Sequence, residues 1–232
     1  MPFQLFGPAH VAILLAVPLA AAALAGAVRR WPGAARGVRV ALAASLAANE
    51  LAWYGYVLER GWVDPPHGLP LDLCDVAVWL TVYVLVAPRP WALDLAYYVG
   101  LAGSGMAVLT PDVGAALASY PGAKFFLGHG GVVAAILFLV WAGALRPRPG
   151  SWWRAFLQVN AWAAVVGVVN ALYGTNYMYL REKPASGSLL DLLGPWPWYV
   201  LAGEAVALAL LALLYLPFRR GRRRAGVPRA GR

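Results

Sequence analysis

The chain has 232 residues, 61% of them hydrophobic and only 12% charged, where an ordinary soluble domain has about a quarter charged. Its net charge of +9 does not indicate nucleic acid, because seven of the nineteen basic residues fall between Arg219 and Arg232. One cysteine excludes an intramolecular disulfide.

A helix that crosses a bilayer needs about 20 mostly apolar residues. Seven such runs follow one another: Ala9–Val28, Gly37–Leu58, Leu71–Ala87, Leu93–Thr110, Phe125–Leu145, Arg154–Tyr173 and Trp198–Phe218. The third and fourth are the shortest. No basic segment precedes the first, so a cleaved signal peptide is not expected. Proline and glycine punctuate the breaks, at Pro32-Gly33, Pro65-Pro66, Pro88, Pro111, Pro147, Pro184 and Pro195. Tryptophan and tyrosine, eleven of each, gather at run ends, as in Trp152-Trp153 and Trp196-Pro197-Trp198-Tyr199, where an aromatic belt meets lipid headgroups. The expectation is an all-α, polytopic, multi-pass cell-membrane protein. It has a bundle of seven transmembrane helices over residues 1–218 and a basic cytoplasmic tail, predicted disordered, over 219–232. No internal repeat of the transporter kind is visible.

Basic residues orient the bundle. Arg29, Arg30, Arg36, Arg39, Arg89, Arg146, Arg148, Arg154 and the tail arginines fall on one side, and only Arg60, Lys124, Arg181 and Lys183 on the other. The positive-inside rule then puts the N-terminus outside and the C-terminus in the cytoplasm. Glu59, Asp64, Asp72, Asp75, Asp112, Glu182 and Asp191 fall on or near the outer side. The tail is expected to rest on anionic lipid headgroups.

Polar side chains inside an apolar run must pair, line a cavity or act. At about 1.5 Å per residue, Cys74 lies roughly one turn inside the third run and His129 about one turn inside the fifth. Glu204 lies nearly two turns inside the seventh, and Glu50, beside Asn49, a little over two turns inside the second. Asn170 and Asn176 mark the outer end of the sixth run. These groups are expected to pool in one layer, about 5–14 Å below the outer boundary. Pro70 places Cys74 in the first turn of a helix. Free N–H groups there favour a thiolate, whereas Asp72 and Asp75 oppose one. Cys74 therefore reads as a nucleophile or as a small buried hydrophobe. His129 stands among Gly128, Gly130 and Gly131, which clear space for a ligand or for a neighbouring helix, and it reads as a base or as an interhelical hydrogen-bonding group. Asn160, Ala164, Gly167, Ala171 and Gly174 form a small-residue stripe that predicts a packing seam, as do Gly100, Gly103, Ser104 and Ala107. The connection from Gly174 to Tyr199 is expected to lie in the interface and cap the polar layer. Arg181 and Lys183 read there as phosphate donors or as solvated charges.

Three segments, Leu69-Pro70-Leu71-Asp72-Leu73-Cys74-Asp75, Asn176-Tyr177-Met178-Tyr179-Leu180-Arg181-Glu182-Lys183-Pro184 and Ser188-Leu189-Leu190-Asp191-Leu192-Leu193-Gly194-Pro195-Trp196-Pro197-Trp198-Tyr199, together resemble bacterial YwaF-type integral membrane proteins, relatives of the animal transmembrane protein 164 family. That family often carries histidine where this chain has Asp72. The animal relatives are acyltransferases acting on ether phospholipids through a cysteine and a histidine. Carried over by position, the resemblance implies catalytic Cys74 and His129. It implies a membrane phospholipid as substrate or ligand, no cofactor and no metal. Asn49, Glu50, Asp72, Asp75, Asn170, Asn176, Tyr177, Arg181, Lys183, Trp198 and Glu204 complete the expected substrate site. The alternative is a small-molecule or ion binding or transport protein, with a proton relay through Glu50, Glu204, His129 and Asp72.

Overall fold

In the computed structural model, residues 4–111, 116–184 and 189–219 are described. Asp112, Ser188 and the tail beyond Arg219 lie outside them. Among the described residues the fold is all-α. The helices are α1 (Pro8–Arg30), α2 (Ala35–Glu59), α3 (Leu73–Val86), α4 (Pro90–Tyr98), α5 (Gly105–Leu109), α6 (Tyr120–Trp141), α7 (Ser151–Tyr173) and α8 (Trp198–Arg219). A π-helical segment, Val99–Ser104, joins α4 to α5, so together they form one rod from Pro90 to Leu109.

Five of these rods are long and apolar enough to cross a membrane: α1, α4–α5, α6, α7 and α8. The protein is a multi-pass membrane protein. The shorter α3, with 14 residues, is apolar. The 25 residues of α2 include Arg36, Arg39, Glu50 and Glu59, which lower its hydropathy, yet it packs against α3 and α6 like the others.

The centre of the bundle is α6, which contacts α1, α2, α3, the π segment and α5. Its glycines make that possible, because lipid supplies no hydrophobic push between helices and close backbone approach must substitute. A Cβ at Gly130 would stand 3.1 Å from Val17 of α1, and one at Gly131 would stand 2.8 Å from Leu46 of α2. At Gly100 in the π segment it would meet Ile136 of α6 at 3.0 Å. The space around His129 is thus occupied by α1 and α2. Gly100 and the buried Ser104 bear out half of the second predicted seam, while Gly103 has nothing within 4 Å of a Cβ.

The α7 stripe is a correction. Ala164, Ala171 and Gly174 are exposed, and α7 buries Ser151, Ala155, Val166 and Asn170 instead. Of the four, Ser151 and Asn170 find hydrogen-bond partners inside, and Ala155 and Val166 pack there without one.

The start of the fifth run also differs from the sequence reading. The fifth run begins its helix at Tyr120, because Ser119 caps it by accepting from Gly122 N at 3.3 Å and Pro121 occupies the first turn. His129 therefore lies about 13 Å into its helix, not one turn. The fully buried histidine of the bundle is His10: its Nε2 lies 2.8 Å from Val108 O and its Nδ1 accepts from Phe6 N at 3.0 Å, fastening α1 to α5.

The end of the bundle carrying the arginine runs is held by Asp94. Its carboxylate accepts from Arg148 Nε at 2.6 Å and Arg148 N at 3.1 Å, with Arg154 Nη2 at 3.7 Å. Beside it Tyr98 and Ser151 share a 2.8 Å hydrogen bond, and Arg29 donates to the Trp141 carbonyl at the end of α6.

Candidate functional site

At the opposite end, two connections meet over the helices. The α7 helix stops at Gly174, whose φ of 72° is a left-handed cap that suits glycine. The chain then turns back, and Asn170 holds it. The Asn170 Oδ1 accepts from Thr175 Oγ1 at 2.8 Å and from Tyr177 N at 2.9 Å, while its Nδ2 donates to Tyr177 O at 2.9 Å. Asn176 does the same one step out, accepting from Arg181 N at 3.1 Å and Glu182 N at 3.2 Å and donating to Glu182 O at 2.9 Å.

This loop is fastened to the α2–α3 connection. The Tyr177 hydroxyl donates to Pro66 O at 2.6 Å and accepts from Leu69 N at 2.7 Å. The Asp72 carboxylate accepts from Met178 N at 2.7 Å, and Trp162 of α7 donates to Leu71 O at 3.2 Å. Burial pushes the Tyr177 hydroxyl above its ordinary 10, and the Leu69 amide only partly offsets this. Burial likewise raises the Asp72 carboxyl, against the pull of the Met178 N–H.

Between the two connections and the end of α2 lies an open cavity of about 440 Å³. Its walls are Trp53, Tyr54 and Val57 of α2, the 67–72 connection, Asp75 of α3, and Thr175, Asn176, Tyr177 and Tyr179 of the loop. Asp72, Asp75, Asn176 and Tyr177 were expected here. Trp53, Tyr54, His67, Thr175 and Tyr179 were not. Tyr54 stands four residues after Glu50, so helical spacing was the signal that marked it. His67 stands two residues before the Leu-Pro-Leu motif.

Behind the cavity, Glu50 is 1% exposed and pairs with Lys124 of α6 at 3.2 Å, and Lys124 also lies 5.1 Å from the Trp53 ring centre. Asn49 donates to Lys124 O at 3.3 Å. Trp79 of α3 donates to the Tyr54 hydroxyl at 3.0 Å.

Cys74 stands in the first turn of α3, exposed, between Asp72 and Asp75. Both neighbours face the cavity, but Cys74 is not among its lining residues. The Nδ1 of His129 is 2.9 Å from Phe125 O. A carbonyl only accepts, so Nδ1 carries the proton and the neutral ring keeps its Nε2 lone pair. No hydrogen bond joins His129 to Cys74.

The remaining expected residues lie apart. Glu204 accepts from Asn160 Nδ2 at 2.8 Å between α8 and α7. Arg181 donates through Nη1 to Asn170 O at 3.1 Å and Thr175 O at 3.4 Å, covering the negative end of α7. Lys183 pairs with Asp191 at 3.5 Å. Trp198 is exposed at the start of α8. Among the described residues, no three His, Cys, Asp or Glu side chains stand close enough together to hold a metal.

The polar layer is thus two groups: a cavity with Glu50 and Lys124 behind it and the Asn170-held loop as one wall, and the Glu204–Asn160 pair between α8 and α7. Neither a curated protein nor a solved structure matches the chain. The family model described as "TMEM164 family" matches residues 5–215, and the chain belongs to that family.

Proposed function

We propose that this protein moves acyl chains between membrane phospholipids at the end of the bundle that carries the cavity. That end faces the outer leaflet, with all seven rods crossing the bilayer. Membership of the family supports a lipid-related role. The observation that carries the chemistry is the placement of Cys74, an exposed thiol in the first turn of α3 beside two residues of the cavity wall.

The Cys74 thiolate attacks the ester carbonyl of a donor phospholipid. A C–S bond forms, the ester C–O bond breaks, and the lysolipid oxygen leaves as a hydroxyl. Its proton comes from His129, which had taken the thiol proton through water at Nε2. The hydroxyl of an acceptor lysolipid then gives its proton to His129 and attacks the thioester. The new ester C–O bond forms, the C–S bond breaks, and the sulfur recovers its proton. The Leu73 and Cys74 N–H groups hold the oxyanion, since those of Asp75 and Val76 already donate to the Asp72 carbonyl. Asn170 and Asn176 are committed to the loop, which argues against that role for them.

The relay alternative has less support. Glu50 is neutralised by Lys124 on α6, and Glu204 bonds Asn160 on a different pair of helices.

The test is acyl exchange between labelled phospholipids in proteoliposomes. Cys74→Ala abolishes exchange, and Cys74→Ser leaves a small residue of it. His129→Ala lowers it by about a hundredfold. Exchange that persists in Cys74→Ala removes the mechanism. Loss in His67→Ala with retention in His129→Ala moves the base to the cavity wall.

A further inference from the structure

Acyl transfer by Cys74 does not by itself require two carboxylates and four aromatic rings around an adjoining cavity. We propose that this cavity binds an organic ammonium group, primary or quaternary, carried by a zwitterionic phospholipid headgroup or by a free amine. The proposal deepens the acyl-transfer reading and rests on it for the identity of the lipid.

The volume, about 440 Å³, lies in the range of small-molecule sites. The wall combines Trp53, Tyr54, Tyr177 and Tyr179 with Asp72 and Asp75. Aromatic faces attract cations through the ring quadrupole, and carboxylates add a net charge. No lysine or arginine lines the cavity. The cations behind the wall are engaged already, Lys124 by Glu50 at 3.2 Å and Arg181 by the carbonyls of Asn170 and Thr175 at 3.1 and 3.4 Å. Asp72, Asp75 and Glu50, when ionised, outnumber these two cations by three charges to two. A bare anion would meet the two wall carboxylates with no lysine or arginine in the wall to answer them.

A metal ion is a poorer occupant, since no three ligating side chains come together among the described residues. The same aromatic end already receives the chain's own cations: Arg60 lies 4.3 Å from the Tyr56 ring centre, and Lys124 lies 5.1 Å from that of Trp53. An incoming ammonium group would meet the same kind of surface with water excluded on one side.

The experiment uses the full chain in maltoside micelles, which carry no ammonium group, and saturation-transfer NMR with choline, ethanolamine and 3,3-dimethyl-1-butanol, the neutral carbon isostere of choline. Choline and ethanolamine receive saturation, and the isostere receives much less. Asp75→Asn, and separately Asp72→Asn, which keeps an oxygen for Met178 N, each weaken choline binding about tenfold. Tyr179→Leu, at an exposed position, weakens choline more than ethanolamine. Equal saturation of choline and its isostere overturns the proposal, as does choline binding unchanged in both aspartate variants.

Displacement of choline by short-chain phosphatidylcholine or phosphatidylethanolamine identifies a lipid headgroup as the source. Choline binding without such displacement identifies a free amine. Cys74→Ala retains choline binding. Should Cys74→Ala leave acyl exchange intact while choline still binds, the acyl-transfer reading falls and the ammonium site stands.

Discussion

Asp94, in the second turn of α4 at the arginine end, and Asp72, the residue before α3 at the cavity end, do different work. Asp94 is buried among Arg148 and Arg154 and accepts from a backbone amide as well, so its charge is answered on several sides. Asp72 accepts from a single backbone amide, Met178 N, and otherwise faces an open cavity beside Asp75. A carboxylate met by guanidinium groups fastens a loop to a helix. A carboxylate left facing an aromatic cavity is available to a ligand. The comparison teaches that residue type does not separate the two roles; the count of cations within reach does.

Asp94→Ala gives the largest expected change in stability. It removes the carboxylate that Arg148 and Arg154 share and lowers apparent stability by about 2–3 kcal/mol in thermal unfolding. Asp72→Ala, in the same assay, costs less than half as much; the reverse order would break the contrast between the two ends. Asn170→Ala releases three hydrogen bonds of the cavity loop. It lowers stability by about 2 kcal/mol and speeds amide hydrogen exchange over residues 175–179, leaving the arginine end unchanged.

Gly131→Val forces Leu46 to move, because even a Cβ would stand 2.8 Å from its side chain. A cost of about 1–3 kcal/mol is expected, read as a lower melting temperature. Tyr177→Phe loses the bonds to Pro66 O and Leu69 N and costs about 1 kcal/mol; faster exchange at Leu69 N–H checks it. Glu204→Leu gives the smallest change, about 0.6 kcal/mol, the usual worth of one interhelical hydrogen bond in a membrane. A large loss there would mean that Glu204 serves more than Asn160.

The rods were legible because apolar length and proline punctuation are local properties. The predicted start of the seventh run, Trp198, and the end of the sixth, Tyr173, coincide with those of the helices. The π segment was not legible: its place depends on Gly100 meeting Val132 and Ile136 of a distant helix. His10 and Asp94 escaped notice for the same reason, since each is defined by a partner far along the chain, Val108 in one case and Arg148 in the other. The glycines around His129 were visible as a cleared space, but a sequence does not say what fills it. Valine and leucine from α1 and α2 do.

By itself the amino-acid sequence determined that this is an all-α membrane protein, because about 20 apolar residues in a row have only the helix as a way to satisfy their backbone in lipid. It also placed Cys74 in the first turn of a helix, although that helix opens at Leu73 behind Asp72 and not at Pro70. Only the tertiary structure decided which polar groups neutralise each other and which remain open. Glu50 found Lys124, Glu204 found Asn160, Asn170 closed a loop, and Asp72 and Asp75 were left facing a cavity. The physical reason is that pairing depends on distances between helices across the bundle, and those are set by the packing of small residues at their crossings, which no single run of sequence contains.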